Sequence, residues 1–129
     1  MQTQPRITVA ICTYNRANYL YDTLHDLSVQ SADPDLFEIL VINNNSTDHT
    51  KRVCDDFIKM HNALNVRVVE EHEQGLSRAR NRAAREGSAP VILYIDDDVF
   101  LPKNFVETAI TYSDSCSAPF CAGGSIDSP

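Results

Sequence analysis

Four short apolar runs, separated by stretches of helical character, decide what this chain can fold into. Residues 7–12 (ITVAIC), 37–42 (FEILVI), 66–69 (VRVV) and 91–95 (VILYI) are rich in β-branched and aliphatic side chains. Runs this short and this continuously apolar fit strands covered on both faces rather than strands with one wet side. Between the first two, Leu20, Leu24 and Leu27 recur at helical spacing within 17–30. Val53 and Phe57 do the same in a segment ending near Asn62, and residues 76–86 read as a helix stopped by Gly87. Pro102 suits the first turn of a further helix reaching about Tyr112, and residues 120–129 are expected to begin a fifth strand. Strands alternating with helices predict right-handed crossovers. The fold class expected is α/β: a Rossmann-like open sheet, mostly parallel, with helices on both faces.

That topology says where function should lie. In open sheets of this kind ligands bind beyond the carboxyl ends of the strands, at the point where strand order reverses. The loops concerned are 13–16, 43–48, 71–75 and 96–99, which are also the most polar parts of the chain. With 129 residues, no internal repeat and no linker, residues 1–129 read as a single domain. The longest unbroken apolar stretch, 91–95, is far short of the ~20 residues a membrane-spanning helix needs. A formal charge of −7 argues against a nucleic-acid partner, since nothing here is built to grip a phosphate backbone. Cys12 and Cys54 fall in predicted core elements. Cys116 and Cys121 are close enough in sequence to pair, but no CxxC or zinc spacing is present, so a reducing, cytoplasmic protein is expected.

Four constellations carry chemistry. Asp96, Asp97 and Asp98 follow an apolar strand directly, and three adjacent like charges repel unless a cation is present. Oxygen ligands select hard ions such as Mg²⁺ or Mn²⁺; the alternative is a solvated acidic turn. Asn43, Asn44 and Asn45 open the second loop. Their amides could bond a base or ribose, or form a tight turn that caps the next helix. Arg78, Arg82 and Arg85 share a helix face, best read as solvated and paired with Glu73 or Glu86, whereas Arg80, just ahead of Asn81, is the one able to turn toward the cleft. Thr13-Tyr14-Asn15-Arg16 follows the first strand. No GxGxxG or GxxxxGK[ST] occurs, so neither a dinucleotide fingerprint nor a P-loop is supported.

In this order and spacing, Thr13-Tyr14-Asn15-Arg16, Asn43-Asn44-Asn45-Ser46-Thr47-Asp48, Gly75-Leu76-Ser77-Arg78-Ala79-Arg80-Asn81 and Tyr94-Ile95-Asp96-Asp97-Asp98 resemble the nucleotide-binding half of the inverting family 2 glycosyltransferases, which have the GT-A fold. The resemblance implies transfer of a sugar, with inversion, from a nucleoside-diphosphate sugar to an acceptor hydroxyl, with Mg²⁺ or Mn²⁺. Position by position it implies a nucleotide-sugar site of Thr13, Tyr14, Asn15, Arg16, Asn43, Asn44, Arg80, Asn81, Asp96 and Asp97. It implies a metal held by Asp98 and Asp96, the DxD pair. Asn stands at 43 and 44 where the family commonly has aspartates, which leaves the base open. The carboxylate general base and the glycan or lipid-linked acceptor belong to the family's second half, so no catalytic base is expected before Pro129. On that reading the chain is a truncated donor-binding half. Its isolated form is expected to dimerise or dissolve poorly, and membrane association, where it occurs, would come from parts outside this segment.

Two other functions fit some of these residues. A domain that keeps the donor cleft but lacks a base would be a binding module without chemistry. Ile95-Asp96-Asp97-Asp98-Val99 also fits the start of an aspartyl-phosphate phosphatase. That motif should open a domain, however, and only 31 residues follow Asp98, with Lys103 the sole lysine among them.

Overall fold

The computed structural model describes residues 4–116. The elements in chain order are β1 (Ile7–Thr13), α1 (Ala17–Ser28), a 3₁₀ turn (Pro34–Leu36), β2 (Phe37–Asn43), α2 (Thr50–Met60), β3 (Asn65–Glu70), α3 (Leu76–Glu86), β4 (Val91–Ile95) and α4 (Phe105–Asp114). All strand pairs are parallel and the sheet order is β3-β2-β1-β4. This is the expected α/β Rossmann-like sheet. The segment expected to form a fifth strand, and Cys121 with its expected pairing, lie outside the described residues.

Strand alternation divides the core in two. Ile7, Val9, Ile11, Phe37, Ile39 and Val41 face one side and pack with Leu20, Leu24 and Leu27 of α1, Cys54 and Phe57 of α2, and Val106 and Ile110 of α4. Ala10, Leu40 and Ile42 face the other side, where α3 lies on them through Ala79 and Ala83. Alanines on that helix face let α3 approach the sheet closely. The apolar runs of β1 and β2 are buried along nearly their whole length because both faces are covered.

Two expectations shift. Pro102 does not open α4, which begins at Phe105. Its carbonyl instead accepts from the Gln30 side chain at 2.9 Å, and the Lys103 carbonyl accepts from the Ser31 N–H at 2.7 Å. Docking onto the end of α1 holds residues 102–104 in a turn. Gly87 does end α3, but with φ −60 rather than a left-handed conformation. It is small for a different reason: a Cβ there would sit 3.2 Å from the Ala83 carbonyl and 3.4 Å from both Ile92 and Thr8. Gly75 is the glycine that needs its freedom, with φ +137 just ahead of α3.

Candidate functional site

The strand order reverses beside β1. The chain runs from β1 outward to β2 and β3, then crosses back to place β4 on the other side. The loops after β1 and β4 therefore flank the switch point, where a crevice is expected. They are bonded to each other. The Thr13 hydroxyl donates to the Asp97 carboxylate at 2.8 Å, Arg16 Nε lies 3.3 Å from the other Asp97 oxygen, and Arg16 Nη2 donates to Asp98 at 2.9 Å. Behind them, the Thr23 hydroxyl of α1 donates to the carbonyls of Asp97 and Val99.

The three aspartates of the turn are not equivalent. Asp97 is 7% exposed and points into the protein. Burial is the main force lifting its carboxyl above the usual aspartate range; the Thr13 bond and the Arg16 charge pull it back, and Asp98 adds to the rise. Asp96 and Asp98 face solvent. The carboxylate of Asp97, a candidate nucleotide contact, bonds Thr13 and meets Arg16, which ties β4 to β1, while Asp96 and Asp98 on either side stay exposed.

Asn43 and Asn44 are similarly committed. Both are buried at the end of β2. Asn43 Nδ2 donates to Glu70, and its oxygen accepts from the Ser46 N–H at 3.4 Å. Asn44 Nδ2 donates to the carbonyls of Glu71 and Glu73 at 3.1 and 2.8 Å, while its oxygen accepts from the Gly75 N–H at 3.0 Å. One amide thus bonds three residues of the 71–75 loop, because its side chain offers both a donor pair and an acceptor. These bonds are those of a tight turn.

Asn15, at φ 52, clamps the first loop to the second. Its side-chain oxygen accepts from the N–H groups of Thr47 and Asp48 at 2.7 and 3.2 Å, and its own N–H donates to Ser46 Oγ at 3.0 Å. Asp48 then serves two helices. One oxygen accepts from the Ala17 N–H at the start of α1, the other from the N–H and hydroxyl of Thr50 at the start of α2. Burial opposes its ionisation, but these bonds outweigh it and hold the carboxyl below the usual range. A cap for α2 was expected from residues 43–48, and Asp48 supplies it from the position before His49.

The remaining candidates are open to solvent. Tyr14 is 47% exposed, and Arg80 and Asn81 lie on the outer surface of α3. The Arg80 guanidinium stands 6.0 Å above the Tyr94 ring, whose hydroxyl donates to the Arg80 carbonyl at 3.0 Å. Two of the other arginines of α3 pair as expected, Arg78 with Glu73 and Arg82 with Glu86, and Arg82 also meets the buried Glu71. Sequence reasoning did not single out Tyr19, Tyr94 or Glu71. Tyr94 carried a signal, as the aromatic polar-tipped residue of β4 immediately ahead of the acidic turn. Cys12 and Cys54 behave as core groups, their thiols pushed by burial to about 11 and about 12.

Among the described residues no group of three or more His, Cys, Asp or Glu side chains forms a preformed metal cage, and no helix is long and apolar enough to cross a membrane. The exposed pair Asp96 and Asp98 nevertheless fits an ion of the Mg²⁺ type. Such ions are commonly held by one or two carboxylates, completed by substrate phosphate and water.

The fold has counterparts among known proteins. Residues 8–122 match Glycosyl transferase family 2. The glycosyltransferase GlyA of Streptococcus pneumoniae is 33% identical over 84% of this chain and 15% of its own length, and AglE of Haloferax volcanii is 27% identical over 84% and 36%. Among solved structures, S. aureus TarS in complex with UDP-GlcNAc superposes with TM-score 0.76 at 27% identity, over 84% of this chain and 31% of its own. The mannosyltransferase PcManGT of Pyrobaculum calidifontis, in complex with GDP-Man and Mn²⁺, gives 0.78 at 28% identity, over 90% and 33%. The chain thus spans about a third or less of these relatives, and it belongs to glycosyltransferase family 2.

Proposed function

We propose that this chain is the donor-binding half of a glycosyltransferase that takes a nucleoside-diphosphate sugar with Mg²⁺ or Mn²⁺ and passes the sugar, with inversion, to an acceptor hydroxyl. The observation that carries the proposal is the bonded pair of loops at the switch point. Thr13 and Arg16 on one side hold the acidic turn on the other, and Asp96 and Asp98 of that turn stay exposed. The nucleotide-sugar complexes of TarS and PcManGT support it.

In this reading Asp98 and Asp96 hold the cation, which when bound offsets the charge that develops on the leaving diphosphate. The chain's own residues bind and orient. Asp97 and Thr13 fix the height of the acidic turn relative to β1. Asn15 and Asp48 fix the first loop against the second, and Asn44 fixes the third. Exposed Tyr14 offers an aromatic face to a base, and Arg80 and Asn81 offer donors to ribose or phosphate. The acceptor and the general base are assigned to the part of the enzyme that corresponds to the remainder of the longer relatives. Membership of the family disfavours the phosphatase reading, whose first aspartate would be a nucleophile.

Thermal unfolding with UDP-, GDP- and dTDP-sugars, each with and without Mn²⁺, tests the proposal. At a ligand concentration about 100 times Kd the gain is about 2.7 kcal/mol, a rise of several degrees in Tm. Asp98→Ala is expected to remove the metal-dependent part of that rise. No stabilisation by any donor across the panel defeats the proposal.

A further inference from the structure

Arg16 is the residue that ties the acidic turn together electrostatically. Its guanidinium reaches Asp97 at 3.3 Å and Asp98 at 2.9 Å, and it stacks 4.7 Å above the Tyr19 ring. The two carboxylates differ in how freely they can let go. Asp97 is buried and also holds the Thr13 hydroxyl, so it stays where it is. Asp98 is 42% exposed at its side chain, and among the described residues Arg16 is the cation paired with its carboxylate. Arg16 itself is 44% exposed at its side chain, so it has room to move away from Asp98 while keeping Asp97 and Tyr19.

We propose that Arg16 is a built-in substitute for the divalent cation. It occupies Asp98 while the site is empty and yields that carboxylate to the metal when the donor's diphosphate arrives. The inference rests on the metal reading of Asp98 given above, and it assigns Arg16 a positioning role rather than a direct contact with base or ribose. Its physical basis is charge. Three adjacent aspartates would repel one another and disorder the turn, and one guanidinium bonded to two of them offsets this. A cation alone must compete with that guanidinium for Asp98. A cation arriving with a diphosphate brings fresh oxygen ligands, so the exchange loses less. Metal and nucleotide should therefore bind synergistically, with the metal binding weakly by itself.

Mn²⁺ binding followed by electron paramagnetic resonance, with and without UDP, tests this on the protein and on the Arg16→Gln, Arg16→Lys and Asp98→Asn variants. Circular dichroism checks that each is folded. Arg16→Gln is expected to bind Mn²⁺ without nucleotide roughly fivefold more tightly than the parent, on the scale of one exposed ion pair. The same variant should have a lower Tm in the absence of metal. Arg16→Lys, which keeps the charge but not the fork, should fall between them. A merely structural Arg16 would lose stability and metal affinity together. Unchanged or weaker Mn²⁺ binding in a folded Arg16→Gln, while the parent binds Mn²⁺ with UDP and Asp98→Asn does not, overturns the exchange and leaves the metal site standing. Mn²⁺ bound by no variant under either condition overturns both. If Arg16→Gln does not fold, Arg16→Lys decides: affinity equal to or below the parent's rejects the proposal.

Discussion

At the amino end of the sheet Glu38 is 1% exposed; at the carboxyl end Asp97 is 7% exposed. Both are carboxylates carried on or just beyond strands of one parallel sheet, and their surroundings differ. Glu38 accepts from the Thr8 hydroxyl at 2.7 Å, from the N–H and hydroxyl of Ser88 at 2.9 and 2.8 Å, and from Arg67 Nε at 2.7 Å. Burial works against its ionisation, yet those donors outweigh burial and hold the carboxyl below the usual range. Asp97 has one hydroxyl and one longer contact to a half-exposed arginine, with Asp98 beside it, and it moves the other way. The amino end is electrostatically closed, because both carboxylate oxygens there accept from protein donors. The carboxyl end is left short of positive charge, which suits the cation proposed to bind there.

The largest expected effect comes from breaking the closed end. Glu38→Ala leaves Arg67, Ser88 and Thr8 facing a gap and is expected to cost about 3 kcal/mol by urea denaturation, since removing one partner of a buried pair strands the other. Donor binding by the protein that remains folded should be unchanged, because the site lies at the opposite edge. A loss under about 1 kcal/mol would show that the network is not closed in the sense argued. Glu38→Gln keeps the shape and isolates the charge. Because the folded carboxyl titrates below the ordinary 4.5, its contribution is full above that value and is lost as pH falls through the lower folded value. The variant should therefore be less stable than the parent at pH 7, with the gap closing on acidification below about 4.5. A gap independent of pH between 3 and 7 would assign the loss to packing instead.

Asn44→Ala comes next, at about 2 kcal/mol, because it removes three hydrogen bonds in a buried place. Its signature should be local: amide exchange in residues 71–75 rises while β1 and β2 stay protected. Unchanged exchange there would mean that the loop is held by something other than this amide. The same residue shows how far the sequence reaches. The sheet, its parallel sense and the positions of its ligand loops follow from where apolar runs alternate with helical spacing, and the structure has all four runs as strands. The candidate site residues follow the same rule, since all sit at the carboxyl ends of strands, in the loops after them, or on α3. Their individual roles could not be read, because Asn44, Asn15 and Asp97 act through bonds to residues 27 to 84 positions away. Glu38 is the one carboxylate in FEILVI, and a charge inside a strand covered on both faces demands partners. Which partners it finds depends on Arg67 and Ser88 from other elements, which no local pattern encodes.

The smallest effect expected is at the open end, and it separates the two carboxylates most sharply. Asp97→Asn keeps the size of the side chain and still offers an oxygen to the Thr13 hydroxyl, so the tie between β1 and β4 survives. What it discards is a charge that is costly to bury and repelled by Asp98. The contact it weakens, to Arg16 at 3.3 Å, is the longer of that arginine's two. The two changes nearly cancel, and stability at pH 7 should lie within about 1 kcal/mol of the parent's, against a clear loss for Glu38→Gln at the closed end. Paired urea titrations of the two conservative variants measure the contrast directly. If Asp97→Asn costs as much as Glu38→Gln, the acidic turn is as fully compensated as the network at the amino end, and the argument that the carboxyl edge waits for a cation loses its electrostatic basis.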